Sequence, residues 1–242
     1  MKNTSNLAIS NILILFLLTI AQYSFADQVK IIEVRGEVNI RHGVEESWQP
    51  ALPGILLEDI DSILSGKNGR AVLETTAGRR FELSPNSQID IADLRRLSDQ
   101  ELFLHLMKEK LNKIGSRPEK TPIKVGTVSA VHGSSQDSVE TSLAGEKVVD
   151  PEPILNGIRD LFNQKYYPNS ILKIHRFLNL YNSGSDCGEL YYYLGYSFEE
   201  LQQPGQAMEA YRNSIQTGQQ ADCTNSKWHT LAQEQLKSLE QN

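Results

Sequence analysis

Short segments that alternate between apolar and polar residues follow one another through the first third of the chain. They cover residues 29–34, 36–40, 60–64, 70–75, 80–83 and 87–91, with Gly, Pro and Asn residues between them. Alternation with a period of two places successive side chains on opposite faces of a β-strand. We therefore expect Leu73, Phe81 and Leu83 to face a core. The pattern predicts an all-β domain of short strands joined by turns.

The stretch between two of these segments contains glycines beside basic residues and raises the question of a phosphate-binding loop. A P-loop needs two glycines separated by four residues, then Lys and Ser or Thr, where a strand meets a helix. Here Gly66-Lys67 is followed at once by Asn68-Gly69 and then by a strand-like segment. The sequence favours two strands with their turns over a nucleotide site.

A helical pattern begins near residue 97. Ser98 and Glu101 have the spacing of a capping box, and a stripe of leucines follows as far as Gly115. We expect this helix, at about 97–115, to be an insertion in the β domain that packs its apolar face on that domain. Residues 136–153 are rich in Ser, Glu, Gly and Pro and are expected to form a linker.

Beyond the linker the pattern is that of paired helices. Predicted helices cover residues 154–164, 170–181, 189–201 and 205–216, and a last helix begins near Trp228. Tyr191, Leu194, Gly195, Phe198, Ala207 and Tyr211 fall on the 34-residue tetratricopeptide spacing. In that pattern large residues fill the space between two helices, and Gly195 and Ala207 allow close approach. This part resembles about two tetratricopeptide repeats and a final helix, since one repeat cannot bury its own face.

Short motifs in the strand-rich part occur in a definite order. They are Val34-Arg35-Gly36-Glu37-Val38, Trp48-Gln49-Pro50-Ala51, Gly54, Leu57, Asp61, Ser65-Gly66, Asn68-Gly69-Arg70-Ala71, Gly78 and Pro85-Asn86-Ser87. In this order they resemble the extracytoplasmic FecR-type β domain. A closing strand is expected at 128–134, and Ile60 and Ala77 depart from the family pattern at two turns.

The two resemblances imply an α+β multidomain chain. Its expected parts are a signal peptide at 1–26, a FecR-like β domain at 27–135, the linker, and an all-α tetratricopeptide-like domain at 154–242.

The first 26 residues have the layout of a secretory signal peptide. Lys2 precedes the apolar run 12–21, and Ser24-Phe25-Ala26 has the small-x-small form of a cleavage site. A membrane anchor is the competing interpretation, but crossing a bilayer takes about 20 apolar residues and this run has ten. We expect an exported protein without a stable membrane anchor after cleavage, periplasmic if the source is a Gram-negative bacterium.

Charge and cysteine content narrow the classes of partner and compartment. The formal net charge is −6 and no dense basic cluster occurs, so we expect no nucleic-acid partner. The two cysteines, Cys187 and Cys223, precede equivalent helices of neighbouring repeats and are expected to form a disulfide. A zinc site is the alternative, but zinc is usually held by four ligands, and no two histidines have the sequence spacing of zinc ligands.

No set of residues has the pattern of a catalytic site. Glu58, Asp59 and Asp61 form an acidic cluster in which Asp59 and Asp61 share a strand face, and turn or surface use is the favoured explanation. We therefore expect no enzymatic activity, no cofactor and no metal.

Candidate binding residues lie in both domains. Tyr192, Tyr196 and Glu199 share the face of the first repeat helix opposite Tyr191, and that face lines the concave groove of tetratricopeptide proteins. Aromatic residues there suit partner binding, although packing against the preceding repeat or the β domain explains them equally well. The leading hypothesis is a non-enzymatic adaptor or scaffold of the cell envelope that binds an envelope protein or peptide. The alternative is a peptidoglycan- or glycan-binding module in which Trp48 of the β domain stacks on a sugar.

Overall fold

The computed structural model describes residues 28–45, 47–115, 150–181, 186–220 and 223–241. Contacts divide the chain into two compact units, Met1–Arg95 and Arg96–Asn242. The expected signal peptide, the closing strand at 128–134 and nearly all of the expected linker lie outside the described residues. In the part that is described, no helix is long and apolar enough to cross a membrane.

The first unit consists of two antiparallel four-stranded sheets. Its strands are β1 (Val29–Arg35), β2 (Val38–Arg41), β3 (Gln49–Pro50), β4 (Leu56–Leu57), β5 (Ser62–Ser65), β6 (Arg70–Thr75), β7 (Arg80–Leu83) and β8 (Gln88–Asp90), followed by a 3-10 helix at Ile91–Leu94. The strand orders are β4-β1-β6-β7 and β3-β2-β5-β8. Short strands were predicted here, and the structure confirms them.

The stretch around Gly66 and Gly69 is a turn between strands. β6 and β7 pair with Leu73 opposite Phe81, and both side chains are fully buried. Gly66 N–H donates to the Glu37 carbonyl at 2.8 Å, and a Cβ on Gly69 would lie 1.9 Å from the same oxygen. The glycine at 69 therefore allows the turn to approach the backbone of Glu37.

The second unit is helical. Its helices are α1 (Asp99–Gly115), α2 (Glu152–Asn163), α3 (Tyr167–Leu180), α4 (Glu189–Glu200), α5 (Pro204–Gln220) and α6 (Lys227–Glu240). From α2 onward, each helix packs against the next one along the chain. Together the two units confirm the α+β class. Helices α2 to α6 correspond to the two helix pairs and the final helix that the sequence predicted.

Helix α1 belongs to the second unit, whereas the sequence interpretation made it an insertion in the β domain. Its predicted capping box is present, because Ser98 N–H donates to the Glu101 carboxylate at 3.0 Å and Glu101 N–H donates to Ser98 Oγ at 3.3 Å. Leu102 is 1% exposed and lies in the apolar core of the helical unit, with Leu106 packed beside it. The compact units accordingly divide after Arg95 rather than after the predicted boundary at 135. An apolar stripe identifies a helix, but it does not identify what the helix packs against.

The predicted disulfide between Cys187 and Cys223 is confirmed, with the two Cα atoms 5.4 Å apart. Cys187 precedes α4 and Cys223 follows α5, so the bond joins the ends of this helix pair. Ser226 strengthens the junction: its hydroxyl accepts from His229 N–H at 3.2 Å as the cap of α6 and donates to the Cys187 carbonyl at 3.4 Å. With both sulfurs bonded to each other, the zinc alternative is wrong.

Gly195 of α4 packs closely against Tyr211 of α5. Tyr211 is completely buried, and a Cβ on Gly195 would lie 2.5 Å from two carbons of its ring. The Tyr211 hydroxyl donates to a Glu199 carboxylate oxygen at 2.8 Å, which fixes the ring in place. The role predicted for Gly195, close approach of two helices, is confirmed.

Replacing Gly195 with alanine should therefore destabilise the helical unit. We expect Gly195→Ala to lower the free energy of unfolding by about 1–3 kcal/mol through overpacking, even though alanine favours helix by about 1 kcal/mol. Urea unfolding followed by circular dichroism measures this. Gly205→Ala is the matched control, because no heavy atom lies within 4 Å of a Cβ there. Equal stability of the two variants would contradict the packing argument.

Reducing the disulfide should also destabilise this unit. In the chain-entropy model, closing a loop of 36 residues contributes about 3–4 kcal/mol. We expect reductant to lower the urea midpoint of the wild-type protein and to leave that of a Cys187→Ser/Cys223→Ser double variant unchanged. If the urea midpoint of the wild-type protein is the same with and without reductant, the disulfide adds no stability.

Candidate functional site

Helix α4 presents tyrosines on two different sides. Tyr191 and Tyr196 are five positions apart, which places them about 140° apart around the helix axis. Both are partly exposed, whereas Tyr192 and Tyr193 are buried. The two partly exposed tyrosines therefore belong to separate surfaces of the helical unit.

On one side, three partly exposed rings from three helices form what we call the aromatic surface: Phe162 of α2, Tyr167 of α3 and Tyr196 of α4. The Tyr196 centroid lies 5.5 Å from that of Phe162 and 6.1 Å from that of Tyr167. Phe162 and Tyr167 are themselves 6.0 Å apart. Rings at these separations are in mutual contact. The aromatic surface is thus one continuous patch.

A partly buried ion pair joins two of the helices beneath this patch. Arg159 of α2 donates from Nε and Nη2 to the two carboxylate oxygens of Glu189 on α4, at 2.9 and 2.7 Å. The Tyr193 hydroxyl donates to the same carboxylate at 2.8 Å, and the Tyr193 ring stacks on Phe162 at 4.1 Å. Bidentate Arg–carboxylate pairs are strong and directional. This network holds α2 and α4, and with them Phe162 and Tyr196, in a set geometry.

The three residues predicted to contact a partner have different environments. Tyr192 is 7% exposed, and its ring lies 5.3 Å from Trp228 and 5.9 Å from Tyr211, so it is a core residue with little surface to offer. Glu199 is half-buried and accepts the Tyr211 hydrogen bond. Of the predicted set, Tyr196 is the aromatic residue that remains partly accessible.

Phe162 and Tyr167 were not predicted to take part. Phe162 lies near the end of α2, and Tyr167 fell in the predicted turn although it begins α3. The available signal was local composition: Phe162, Tyr166 and Tyr167 occur within six residues.

Acidic side chains border the aromatic surface. Burial and the hydrogen-bonded carboxylate of Glu200 raise the pKa of Tyr196, and Glu199 adds to the effect. Burial, followed by Glu200, likewise raises the pKa of Tyr167. Glu200 is exposed at the end of α4. Glu199 and Glu200 thus place negative charge beside the Tyr196 side of the aromatic surface.

Tyr191 lies on the other side of α4, where it lines a cavity of about 280 Å³. Leu102 of α1 and Leu194 and Phe198 of α4 form part of its apolar lining, and Gln206 of α5 is one of its polar residues. Pockets for small molecules usually enclose about 300–1,000 Å³, so this cavity is just below that range.

In the β unit, Trp48 is half-buried and already has a partner. The Arg41 guanidinium lies 5.2 Å from the centroid of the Trp48 ring. Because a planar ring has two faces, a sugar stacking on Trp48 would have to use the face opposite Arg41.

The acidic cluster of the β unit is structural. Asp61 is 3% exposed and its carboxylate accepts from Glu58 N–H at 2.9 Å and Gly43 N–H at 3.0 Å, with His42 Nδ1 at 3.2 Å. The predicted turn use is therefore confirmed for Asp61. The shared face with Asp59 is wrong, because β5 begins at Ser62 and Asp59 is exposed. Across the described ranges, no group of three or more His, Cys, Asp or Glu residues is placed to hold a metal ion.

The buried tyrosines make the helical unit sensitive to high pH. Burial and the adjoining carboxylates of Glu189 and Glu199 raise the pKa of Tyr193 and Tyr211. Since their pKa values are higher in the folded state, stability is fully present below the unfolded value near pH 10 and is lost as pH rises above it. We expect a loss of about 1.4 kcal/mol per pH unit for each such tyrosine.

Urea unfolding at a series of pH values from 8 to 11 tests this. Tyr211→Phe should be about 1 kcal/mol less stable at pH 8, because it lacks the hydrogen bond to Glu199. Above pH 10 the free energy of unfolding of the variant should also fall less steeply than that of the wild type, by the contribution of one tyrosine, about 1.4 kcal/mol per pH unit. Identical slopes for the variant and the wild type would contradict the assignment.

Comparisons with known proteins add no homologue to this picture. The chain matches no protein-family model, no curated protein and no solved structure.

Proposed function

We propose that this protein is an exported, non-enzymatic adaptor of the cell envelope that binds a partner protein or peptide through the aromatic surface. The observation that carries the proposal is the placement of Phe162, Tyr167 and Tyr196, three partly exposed rings from three helices, in one patch. Binding hot spots are enriched in large aromatic residues on pre-organised surfaces. The Arg159–Glu189 pair supplies the pre-organisation.

The proposal includes the family-level assignments. A FecR-like β domain is supported by two antiparallel sheets of short strands at the expected positions. A tetratricopeptide-like array is supported by successive packed helices, by Gly195 against Tyr211 and by the complete burial of Ala207. In such an array the first helix of each pair lines the concave side, and Phe162 and Tyr196 lie on the corresponding helices α2 and α4.

Export is supported by the disulfide and by the pattern of the first 26 residues. A bond between Cys187 and Cys223 persists in an oxidising compartment and is rare in the cytosol. The envelope is therefore the place where we expect the partner.

Glycan binding through Trp48 is the alternative, and the partial exposure of that ring favours it. Arg41 over the ring leaves one face for a sugar. The aromatic surface presents three partly exposed rings where the β unit presents Trp48, which makes protein binding the leading proposal.

Photo-crosslinking in the source cells tests the two functions together. We expect Tyr196→p-benzoylphenylalanine to form a discrete protein adduct. The same replacement at Gln216, which is exposed on α5, is the control and should form none. The adaptor proposal fails if neither position forms an adduct. Glycan binding replaces it if, in addition, the wild-type protein sediments with purified cell wall and the Trp48→Ala variant does not.

A further inference from the structure

We propose that the segment bound by the aromatic surface is cationic, with a Lys or Arg side chain that lies against Tyr167 and Tyr196 and pairs with Glu200. This inference rests on the proposed function and names the chemistry of its partner. It follows from the ring geometry, the charge beside the rings and a contact that the chain makes within itself.

The ring geometry suits a cation. An ammonium or guanidinium group is attracted to an aromatic face within about 6 Å of the ring centroid. The Tyr167 and Tyr196 centroids are 6.1 Å apart, so one cation resting against both rings can lie within that range of both centroids. Phe162, 5.5 Å from Tyr196, adds apolar area for the methylene stem of a Lys or Arg side chain.

The charge beside the rings is negative. Glu200 is exposed and lies four residues after Tyr196 on the same side of α4, and its carboxylate raises the pKa of the Tyr196 hydroxyl. Within the described ranges Glu200 forms no salt bridge, so its charge is available to a partner. Glu199 and Glu234 extend the negative field towards Tyr192. An anionic segment would be repelled here, whereas a cationic one gains electrostatic complementarity.

The chain itself shows an ammonium bound to the same group of rings. Lys227 Nζ lies 4.0 Å from the centroid of the Trp228 ring. Trp228 contacts Tyr192, which in turn lies 6.4 Å from Tyr196, centroid to centroid. A partner cation at Tyr196 would repeat, at the other end of this series of rings, the contact that Lys227 makes with Trp228.

Titration of defined peptides tests the inference on the full chain. The probes are three acetylated octapeptides in which Gly alternates with Lys, Glu or Ser, with binding followed by the NMR shifts of Tyr196 and Glu200. We expect the Lys peptide to bind, and its affinity to fall as salt is raised from 50 to 300 mM. Comparable binding of the Glu or Ser peptide would overturn the inference.

Matched variants separate the aromatic surface from general attraction to an acidic protein. We expect Glu200→Gln and Tyr196→Ala each to weaken binding of the Lys peptide at least fivefold, while Tyr196→Phe, which keeps the ring, retains most of it. Glu209→Gln removes the same charge from an exposed position on α5 and should bind as the wild type does. An equal loss in Glu209→Gln would show non-specific attraction and overturn the inference. Because Glu200 is exposed, we expect Glu200→Gln to leave the fold intact, and thermal unfolding of the variant checks this.

The crosslinking experiment distinguishes failure of this inference from failure of the proposed function. Sequencing of the adduct from position 196 should identify a segment that bears Lys or Arg. A captured segment without either overturns the cationic inference and leaves the adaptor function in place. Absence of any adduct rejects the adaptor function, and the inference with it.

Discussion

The helical unit depends on one contact, the approach of the Tyr211 ring to the bare backbone of Gly195. Because no side chain intervenes, α4 and α5 lie close together, and Tyr211 is buried with its hydroxyl on Glu199. Gly195 thereby faces the core. Tyr196, the next residue, lies about 100° further around the helix axis, and Glu200, four residues beyond it, shares that side. A packing requirement inside the molecule therefore determines which side chains are offered outside it.

Hydrogen-bonded polar groups add to the apolar packing of the helical unit. The Arg159–Glu189 pair joins α2 to α4 across 30 positions of sequence, and Tyr193 gives its hydroxyl to the pair and its ring to Phe162. Removing the Glu189 carboxylate and part of the Arg159 side chain from water is costly, and the bidentate geometry with an added hydrogen bond offsets that cost. A stiff support lowers the entropy lost when a partner binds. The same network thus serves the fold and the aromatic surface.

Features determined by local sequence pattern, such as strands and helices, could be predicted. Features determined by contacts between residues far apart in the sequence could not. Alternation located β6 and β7, but β3 and β4 have two residues each and are too short to show a period. The apolar stripe in α1 predicted a helix but did not indicate that the helix packs on the helical unit. At the site, helix spacing correctly separated Tyr196 from Tyr191. It could not show that Trp228, 36 positions further on, covers Tyr192, because that contact exists only after α6 has packed.

The bond between Cys187 and Cys223 also has a mechanical meaning. Both α4 and α5 lie wholly between the bonded residues, so tension applied to the two ends of the chain passes through the sulfurs and bypasses both helices. Unravelling under load would release about 120 Å less chain than in the reduced protein, at roughly 3.3–3.6 Å per residue. A chain pulled from its two ends would keep α4, the helix that bears Tyr196, enclosed by the disulfide while other parts of the unit unfolded.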